Sequence, residues 1–206
     1  LGLSEVARIR KHMQAVIDEV EFDGDFADFL EFLRTDPQFY ATDEQSYLNQ
    51  VAWVAKSIDG KLPGFFARLP SNPYGIMPVP AQTAPKTATA YYQPGAADGT
   101  RAGQYFINTY KLDSRPLYEL PALSLHEGVP GHHLQFSFQG ENTAMPDWRR
   151  SYYFHAYAEG WGLYSEYLGI EMGMYNTPYE RFGRMIYEMW RAVRLVVDTG
   201  MHAKGW

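Results

Sequence analysis

The 206-residue sequence contains no cysteine, no long uninterrupted apolar segment and no cluster of basic side chains. Without cysteine, disulfide bonds and thiolate metal sites are excluded, so a metal ion would be held by His, Asp or Glu, as in catalytic sites. No run approaches the roughly 18 apolar residues that cross a bilayer, so no membrane span is predicted. A formal net charge of −6 without a basic block argues against a nucleic-acid partner.

Aromatic residues are abundant, at 16% of the chain, within an apolar fraction of 46%. This composition is typical of a folded globular protein with a well-packed interior or an aromatic-lined cleft, and it argues against disorder. The chain begins with Leu1 and not with methionine. We therefore expect it to be a piece of a longer protein whose own N-terminus, where a targeting signal would lie, is absent.

Helical periodicity dominates both ends of the sequence, where apolar side chains recur every three or four residues. Between residues 69 and 122, eight prolines exclude long helices, and short β-like stretches alternate with turn signals. The order of helices, small sheet and helices indicates an α+β, mainly helical fold with a partly antiparallel sheet. The predicted helices are 3–20 (with Ser4 as N-cap), 24–34, 43–68 (with Thr42 or Asp43 as N-cap), one that holds a histidine cluster after Pro121, 147–172 and 178–199; the predicted strands are 76–79, 87–93 and 104–110.

Three of the six histidines fall within eight residues, at His126, His132 and His133, and Glu127 follows the first of them. The zincin pattern His-Glu-x-x-His places two imidazoles on one face of a helix, where both bind zinc while the glutamate acts as general base. The cluster therefore favours a zinc site, with Glu127 as the base, over polar packing around a helix break.

The histidine spacing in this cluster exceeds the zincin spacing by two residues. On a continuous helix His132 would lie about 120° around the axis from His126, and His133 would lie about 10 Å further along it. Pro130-Gly131 cannot continue a regular helix, so a break there can bring either histidine back beside His126. We favour His132 as the second metal ligand, because looping out two residues restores the usual spacing, and keep His133 as the alternative.

A third metal ligand is expected about 30 residues downstream, where Glu159 lies between small and aromatic residues. Such surroundings are costly for a carboxylate that has no cation to pair with. We therefore predict Glu159 as the third ligand. His155 precedes it by four residues, on the same face of a helix, and is expected to orient Glu159 or to contact substrate.

From about Tyr91 to its last residue, the sequence resembles the bacterial family known as domain of unknown function 885, which is grouped with the gluzincin metallopeptidases. The matching stretches are Tyr91–Pro94, Asp98–Arg101, Tyr105–Tyr110, His126–Gln135, Ala158–Trp161 and Asp198–Trp206. The resemblance implies a zincin-like, thermolysin-related core with the small sheet beside the active-site helix. Residues 71–206 would form this core, truncated at its C-terminus, and residues 1–70 would belong to a larger N-terminal helical part. Export to the periplasm is also what the resemblance favours.

These observations together predict a zinc-dependent hydrolase, most simply a metallopeptidase, that acts on a peptide or small-molecule substrate with Glu127 as general base. An oxyanion would need a donor besides the metal. The candidates are His202, whose neighbour Gly200 frees the backbone, and Tyr157, Tyr164 and Arg194.

Several alternatives stay open at this point. The chain can be a metal-dependent hydrolase of non-peptide esters or amides, or a catalytically inactive zincin-like binding module, although Glu127 beside His126 argues against the second. The strand at 104–110 can be an edge that pairs with an extended peptide or a core strand. The aromatic run from Trp148 to Tyr157 can line a hydrophobic pocket or pack in the core.

Overall fold

Eight α-helices and three short strands make up the chain, and a computed structural model describes all of its residues, 1–206. The mainly helical α+β fold that the sequence predicted is confirmed. The helices are α1 (Gly2–Glu19), α2 (Phe26–Thr35), α3 (Glu44–Lys61), α4 (Leu120–Glu127), α5 (His132–Glu141), α6 (Asp147–Ser151), α7 (His155–Glu171) and α8 (Pro178–Ala203); the strands are β1 (Tyr74–Pro78), β2 (Ala90–Gln93) and β3 (Gly103–Ile107). None of the helices is long and apolar enough to cross a membrane.

Side-chain caps fix where several helices begin. At α8 the Thr177 hydroxyl accepts a hydrogen bond from the Glu180 amide (3.1 Å), and the Glu180 carboxylate accepts one from the Thr177 amide (3.0 Å). Asp43, one of the two predicted caps, accepts from the Ser46 amide at the start of α3. Ser4 was wrong as a cap, because α1 begins at Gly2 and the Ser4 hydroxyl donates to the Leu1 carbonyl inside the first turn.

Two predicted helices are shorter in the structure. The helix expected over 43–68 ends at Lys61, where a 3₁₀ turn forms around Pro63, which has no amide hydrogen to continue the helix. The helix expected over 147–172 is divided into α6 and α7. The division is stabilised by the Gln139 side-chain amide, which donates to the carbonyls of Arg150 (2.8 Å) and Tyr152 (3.3 Å) and so satisfies them without a continuous helix.

The three strands form one mixed sheet in the order β1-β3-β2. β3 runs parallel to β1, with Ile76 opposite Tyr105, and antiparallel to β2, with Tyr92 opposite Tyr105. The partly antiparallel sheet is thus confirmed, but residues 104–110 do not supply an edge strand, because β3 is paired on both sides. One face of the sheet packs on α4, where Tyr105 and Ile107 join Leu120 and Leu123 in a buried cluster.

The largest apolar cluster lies between α1, α2 and α8, and we call it the aromatic core. Phe29 and Phe182 are fully buried, with ring centroids 5.1 Å apart in an edge-to-face arrangement. Its buried members are Ile9, Met13, Val16, Ile17, Phe29, Leu33, Phe39, Tyr118, Phe182, Met185 and Ala192. The division predicted at residue 70 stays a prediction, while α1 and α2 pack directly on the C-terminal helix.

Candidate metal centre

The helix is interrupted between α4 and α5 by the segment Gly128–Gly131, within the histidine cluster. Gly131 is required there, since a β-carbon at this position would overlap the carbonyl oxygens of Leu125 and His126. The Trp161 indole donates to the Pro130 carbonyl (2.7 Å) and ties the connection to α7. The break predicted from Pro130-Gly131 is confirmed, and it sets the start of α5 beside the end of α4.

Three side chains from three helices meet at this junction, and we call them the donor group: His126, His132 and Glu159. Their nearest donor atoms all lie within 4.8 Å of one another. His126 Nε2 is 3.4 Å from Glu159 Oε2, and His132 Nε2 is 3.7 Å from Glu159 Oε1. The two imidazole rings lie 4.6 Å apart between centroids. The structure therefore brings together three of the four residues that the sequence predicted as metal ligands.

His133 lies outside the donor group, on the side of α5 that faces the sheet. Its Nδ1 is 2.8 Å from the Tyr92 hydroxyl, and its ring packs against Tyr74 with the centroids 4.8 Å apart and the planes tilted by 42°. Burial lowers the pKa of His133 to about 4. Successive residues of a helix point about 100° apart, so His132 and His133 cannot both face His126. Of the two alternatives, the structure places His132 with His126.

The His126 ring is oriented by a hydrogen bond to Glu166, a residue that the sequence interpretation missed. The Glu166 Oε1 atom accepts a hydrogen bond from His126 Nδ1 (2.7 Å), which leaves Nε2 directed at the donor group. Arg191 lies 3.4 Å from the same carboxylate oxygen. Glu166 follows Glu159 by seven residues, two helical turns, so it shares the same face of α7. That spacing was the signal that could have identified it.

A glycine allows α7 to approach His126 closely enough for these contacts. A β-carbon at Gly162 would overlap the His126 ring, and one at Gly169 would overlap the Leu125 side chain. Both glycines lie on the face of α7 that packs on α4. The two glycines therefore let the backbone of α7 come into contact with the side chains of His126 and Leu125.

The charges of the donor group are strongly coupled. The adjacent imidazoles of His126 and His132 hold the pKa of the Glu159 carboxyl far below its ordinary value. Burial by itself would lower the pKa of His126, but the adjacent Glu159 and Glu166 carboxylates outweigh it and raise that pKa to about 9. Burial raises the pKa of the neighbouring Glu127 carboxyl. The arrangement stabilises positive charge between the imidazoles and Glu159.

The separations of the donor group fit a metal ion. A tetrahedral ion bound at about 2.1 Å by N and O ligands separates its ligand atoms by about 3.4 Å. The two separations from Glu159, 3.4 and 3.7 Å, are close to this value. The set of two imidazoles and one carboxylate, with a second carboxylate orienting one imidazole, is a pattern of metal centres. The donor group can therefore hold a metal ion.

A cavity of about 440 Å³ opens onto the donor group. Glu127 lines it, as do residues of β2 and of the segment before that strand. Tyr153 lies two residues before the start of α7, and its hydroxyl donates to Glu159 Oε1 (2.9 Å). The cavity is lined by Ala88, Thr89, Ala90, Tyr91, Tyr92, Leu123, His126, Glu127, His132, Phe136, Tyr153, His155, Glu159, Glu166, Tyr187, Trp190, Arg191 and Arg194. His155 and Arg194, both noted from sequence, thus share the cavity with the donor group.

Two predicted catalytic residues, Tyr157 and His202, do not line this cavity. Tyr157 precedes Glu159 by two residues, about 200° around the helix, and its half-exposed ring lines a separate apolar pocket. His202 follows Arg191 by eleven residues, about 16 Å further along α8, where it pairs with Asp198 at 3.6 Å. Helix rotation and helix length therefore remove both side chains from the donor group. Tyr164 is also absent from the cavity wall and packs against Trp161.

The aromatic run from Trp148 to Tyr157 is exposed and does not pack in the core. Trp148, Tyr152, Phe154 and Tyr157 each expose more than half of their surface. Three of them, Tyr152, Phe154 and Tyr157, line an apolar pocket of about 640 Å³ next to α5. Of the two alternatives for this run, the structure supports the pocket.

Comparison with known proteins identifies a family and a similar solved structure. A family model described as "bacterial protein of unknown function (DUF885)" matches residues 1–206. A crystal structure titled "putative lipoprotein from Colwellia psychrerythraea" is similar, with a TM-score of 0.93 and 33% sequence identity, over 100% of this chain and 36% of that protein. This chain thus spans about a third of the length of that relative. No curated protein matches the sequence.

Proposed function

The chain belongs to the bacterial family DUF885, and within that family we propose that it is the catalytic part of a zinc-dependent hydrolase, a metallopeptidase of the gluzincin type. One observation carries the proposal. Two imidazoles and a carboxylate from three helices converge at ligand distances, while Glu127, adjacent to one imidazole, lines the same cavity. A structural metal site does not require a free carboxylate in a cavity next to its ligands, whereas a hydrolytic site does.

The arrangement around the donor group also supports a zincin-like core. One helix carries His126 and Glu127, a later helix carries Glu159, and a small sheet packs beside the first of them. The two extra residues between the histidines lie in the break at Gly128–Gly131. We propose that this break replaces the single continuous helix of the His-Glu-x-x-His pattern.

His126, His132 and Glu159 would hold the ion. Zinc held by them would supply Lewis-acid chemistry, lowering the pKa of a water molecule and polarising a carbonyl group. Glu127 would take the proton from the attacking water and deliver it to the leaving amine. Glu166 would keep Nε2 of His126 aimed at the ion, and Tyr153, hydrogen-bonded to Glu159, would reach the space where substrate enters.

The unpaired edge of β2 gives a place for an extended substrate. β2 pairs with β3 on one side only, and its residues line the cavity beside the donor group. A peptide that adds to this edge would present its carbonyls close to Glu127. Of the two alternatives for 104–110, an edge that pairs with a peptide and a core strand, the proposal keeps the core strand and assigns the edge to 90–93.

We also propose that the protein acts outside the cytoplasm. The description of the solved relative as a lipoprotein supports export of that protein. The sequence similarity over this whole chain extends the suggestion here. Fractionation of the native host, with detection of the full-length protein, tests it.

Metal content tests the site directly. Elemental analysis of the intact protein, purified without chelators, should give about one zinc per chain. Glu159→Ala should lose it, because two imidazoles alone bind zinc weakly. The matched control is Glu171→Ala, an exposed carboxylate on the same helix that makes no ion pair, and this variant should keep its zinc. Equal zinc in wild type and Glu159→Ala would refute the assignment.

Hydrolysis is tested with Glu127→Gln, which keeps the size of the side chain and removes the base. On a peptide library we expect turnover to fall by about 10²- to 10⁴-fold while zinc content is unchanged. Turnover that survives in Glu127→Gln would mean that another group is the base. An ester and an anilide included in the same screen separate a peptidase from a hydrolase of non-peptide substrates.

A further inference from the structure

Two arginines of α8 line the cavity that opens onto the donor group, and they differ in what they contact. Arg191 is neutralised, since its guanidinium lies 3.4 Å from Glu166 and 3.9 Å from Glu159. Arg194, one turn further along the helix, makes neither an ion pair nor a hydrogen bond within the chain. It is therefore the one arginine of the cavity wall whose charge has no carboxylate partner.

Trp190 contacts the Arg194 guanidinium through the face of its ring. The guanidinium carbon lies 4.2 Å from the centroid of the Trp190 ring, and Trp190 lines the same cavity. This cation–π contact uses none of the guanidinium N–H groups as hydrogen-bond donors to a carboxylate, so they stay available. Those N–H groups match the two oxygens of a carboxylate in a bidentate contact.

The remaining charged groups of the cavity restrict where an anion can bind. Glu127, Glu159 and Glu166 all line the wall, and Arg191 is already shared between two of them. Zinc at the donor group, together with Arg191, would offset these three carboxylates, so that part of the cavity would carry little net charge. Arg194 lies at the rim of the cavity, shared with a pocket on the outer half of α8. Arg194 is thus the cationic side chain of the wall that remains available to an anion.

From these contacts we infer that Arg194, which lies over the Trp190 ring, binds a carboxylate of the substrate, and that this is the free C-terminal carboxylate of a short peptide. The inference rests on the proposed peptidase function and names its substrate class. A cavity of about 440 Å³ lies within the ordinary range of ligand sites and has room for only a few residues of a peptide. In the reaction, water breaks the amide C–N bond near that end. Its oxygen becomes part of a new carboxylate, and a proton goes to the released amine.

Matched peptides test the inference on the intact, zinc-loaded protein. Three versions of one cleaved peptide are compared: a free C-terminus, a C-terminal amide, and an amide with glutamate as the last residue. We expect the free acid to be cleaved with a kcat/KM about 10- to 100-fold above that of the amide, as for loss of one charge-assisted hydrogen bond. Arg194→Gln should remove this preference, so that the free acid and the amide are cleaved with the same kcat/KM. The control Arg181→Gln, on the same helix but paired with Glu19 away from the cavity, should keep the preference.

Different outcomes separate the sources of the carboxylate. If the glutamate amide is cleaved as fast as the free acid, Arg194 recognises an acidic side chain, and the C-terminal assignment is overturned. If wild type shows no preference among the three, or if Arg194→Gln keeps it, Arg194 does not bind the substrate.

A binding measurement keeps the inference testable if no peptide is cleaved, an outcome that would count against the proposed function. Titration calorimetry with N-acetylphenylalanine and with its amide needs no turnover. We expect the acid to bind at least 10-fold more tightly than the amide to wild type, and equally to Arg194→Gln. Equal binding of both probes to wild type would overturn the carboxylate site whether or not the protein is an enzyme.

Discussion

The aromatic core and the donor group are both buried, but their burial has opposite energetic signs. In the aromatic core, Phe29 and Phe182 are completely covered by other apolar groups, and each such side chain stabilises the fold by about 1.5–3 kcal/mol. Around the donor group, Glu166 and His126 are almost as well covered. Burial of these polar groups costs free energy unless partners compensate.

Hydrogen bonds offset the cost of burying the polar side chains around the donor group only in part. Glu166 is hydrogen-bonded through Oε1, but its Oε2 has no partner, and neither does Nδ1 of His132. Unsatisfied buried atoms are rare in ordinary cores because each costs about 1–3 kcal/mol. We conclude that the aromatic core stabilises the fold. The buried polar side chains around the donor group cost some of that stability, at a place that can bind a cation.

The largest expected effect lies in the aromatic core. Phe29→Ala should lower the free energy of unfolding by about 3–5 kcal/mol, because it leaves a cavity between α2 and α8. Zinc affinity of the folded fraction should stay the same, since Phe29 contacts no residue of the donor group. Denaturant unfolding and zinc titration below the unfolding transition measure both. A parallel fall in zinc affinity would show that the two regions are not separable.

The next effect belongs to the polar region. Glu166→Gln removes the negative charge behind His126, and we expect zinc affinity to fall by about 10- to 100-fold. Stability should change little, because the substitution also relieves a buried charge. Competition with a chelator measures the affinity, and Glu171→Gln on the same helix is the control. If affinity is unaffected, Glu166 has only a packing role.

The smallest expected effect on stability comes from Glu119, which lies between the aromatic core and the cavity at the donor group. It follows Tyr118 of the aromatic core and accepts a hydrogen bond from Tyr187, which lines the cavity (3.2 Å). Burial raises the pKa of Glu119 to about 7, despite that hydrogen bond. The folded state therefore keeps a proton that the unfolded chain releases near pH 4.5. Stability from this group is fully present below that pH and is lost as the pH rises through about 7.

The comparison with Glu119→Gln isolates this contribution. Between pH 5 and pH 7.5, wild type should lose roughly 1 kcal/mol more stability than the variant, a figure reduced for the solvent that still reaches the side chain. Denaturant unfolding at the two pH values measures the difference. An identical pH response in both proteins would mean that Glu119 is charged at neutral pH in the folded state.

The sequence predicts the secondary structure best where a local pattern determines it. Apolar periodicity located most helices, because one buried face is enough to define a helix. Pro130-Gly131 located the break, since proline and glycine act on the backbone itself. The family membership, first seen as a resemblance in the second half of the chain, extends over its whole length.

Features that depend on two distant segments were not predictable from the sequence. The division of α6 from α7 depends on Gln139, which belongs to α5. The position of β3 in the centre of the sheet depends on pairing with β1, which no local pattern encodes. The positions of Tyr157 and His202 depend on the rotation and length of long helices, and Glu166 required knowledge of which face of α7 meets α4.

The close packing of α7 on α4 has a consequence for how substitutions are tolerated. At Gly131 and at Gly162 the space for even one methyl group is already filled by the backbone or the ring of His126. In a scan of every possible replacement along the chain, these two positions should therefore rank with the donor group among the most sensitive. The chemistry of the site thus depends in part on residues that have no side chain at all.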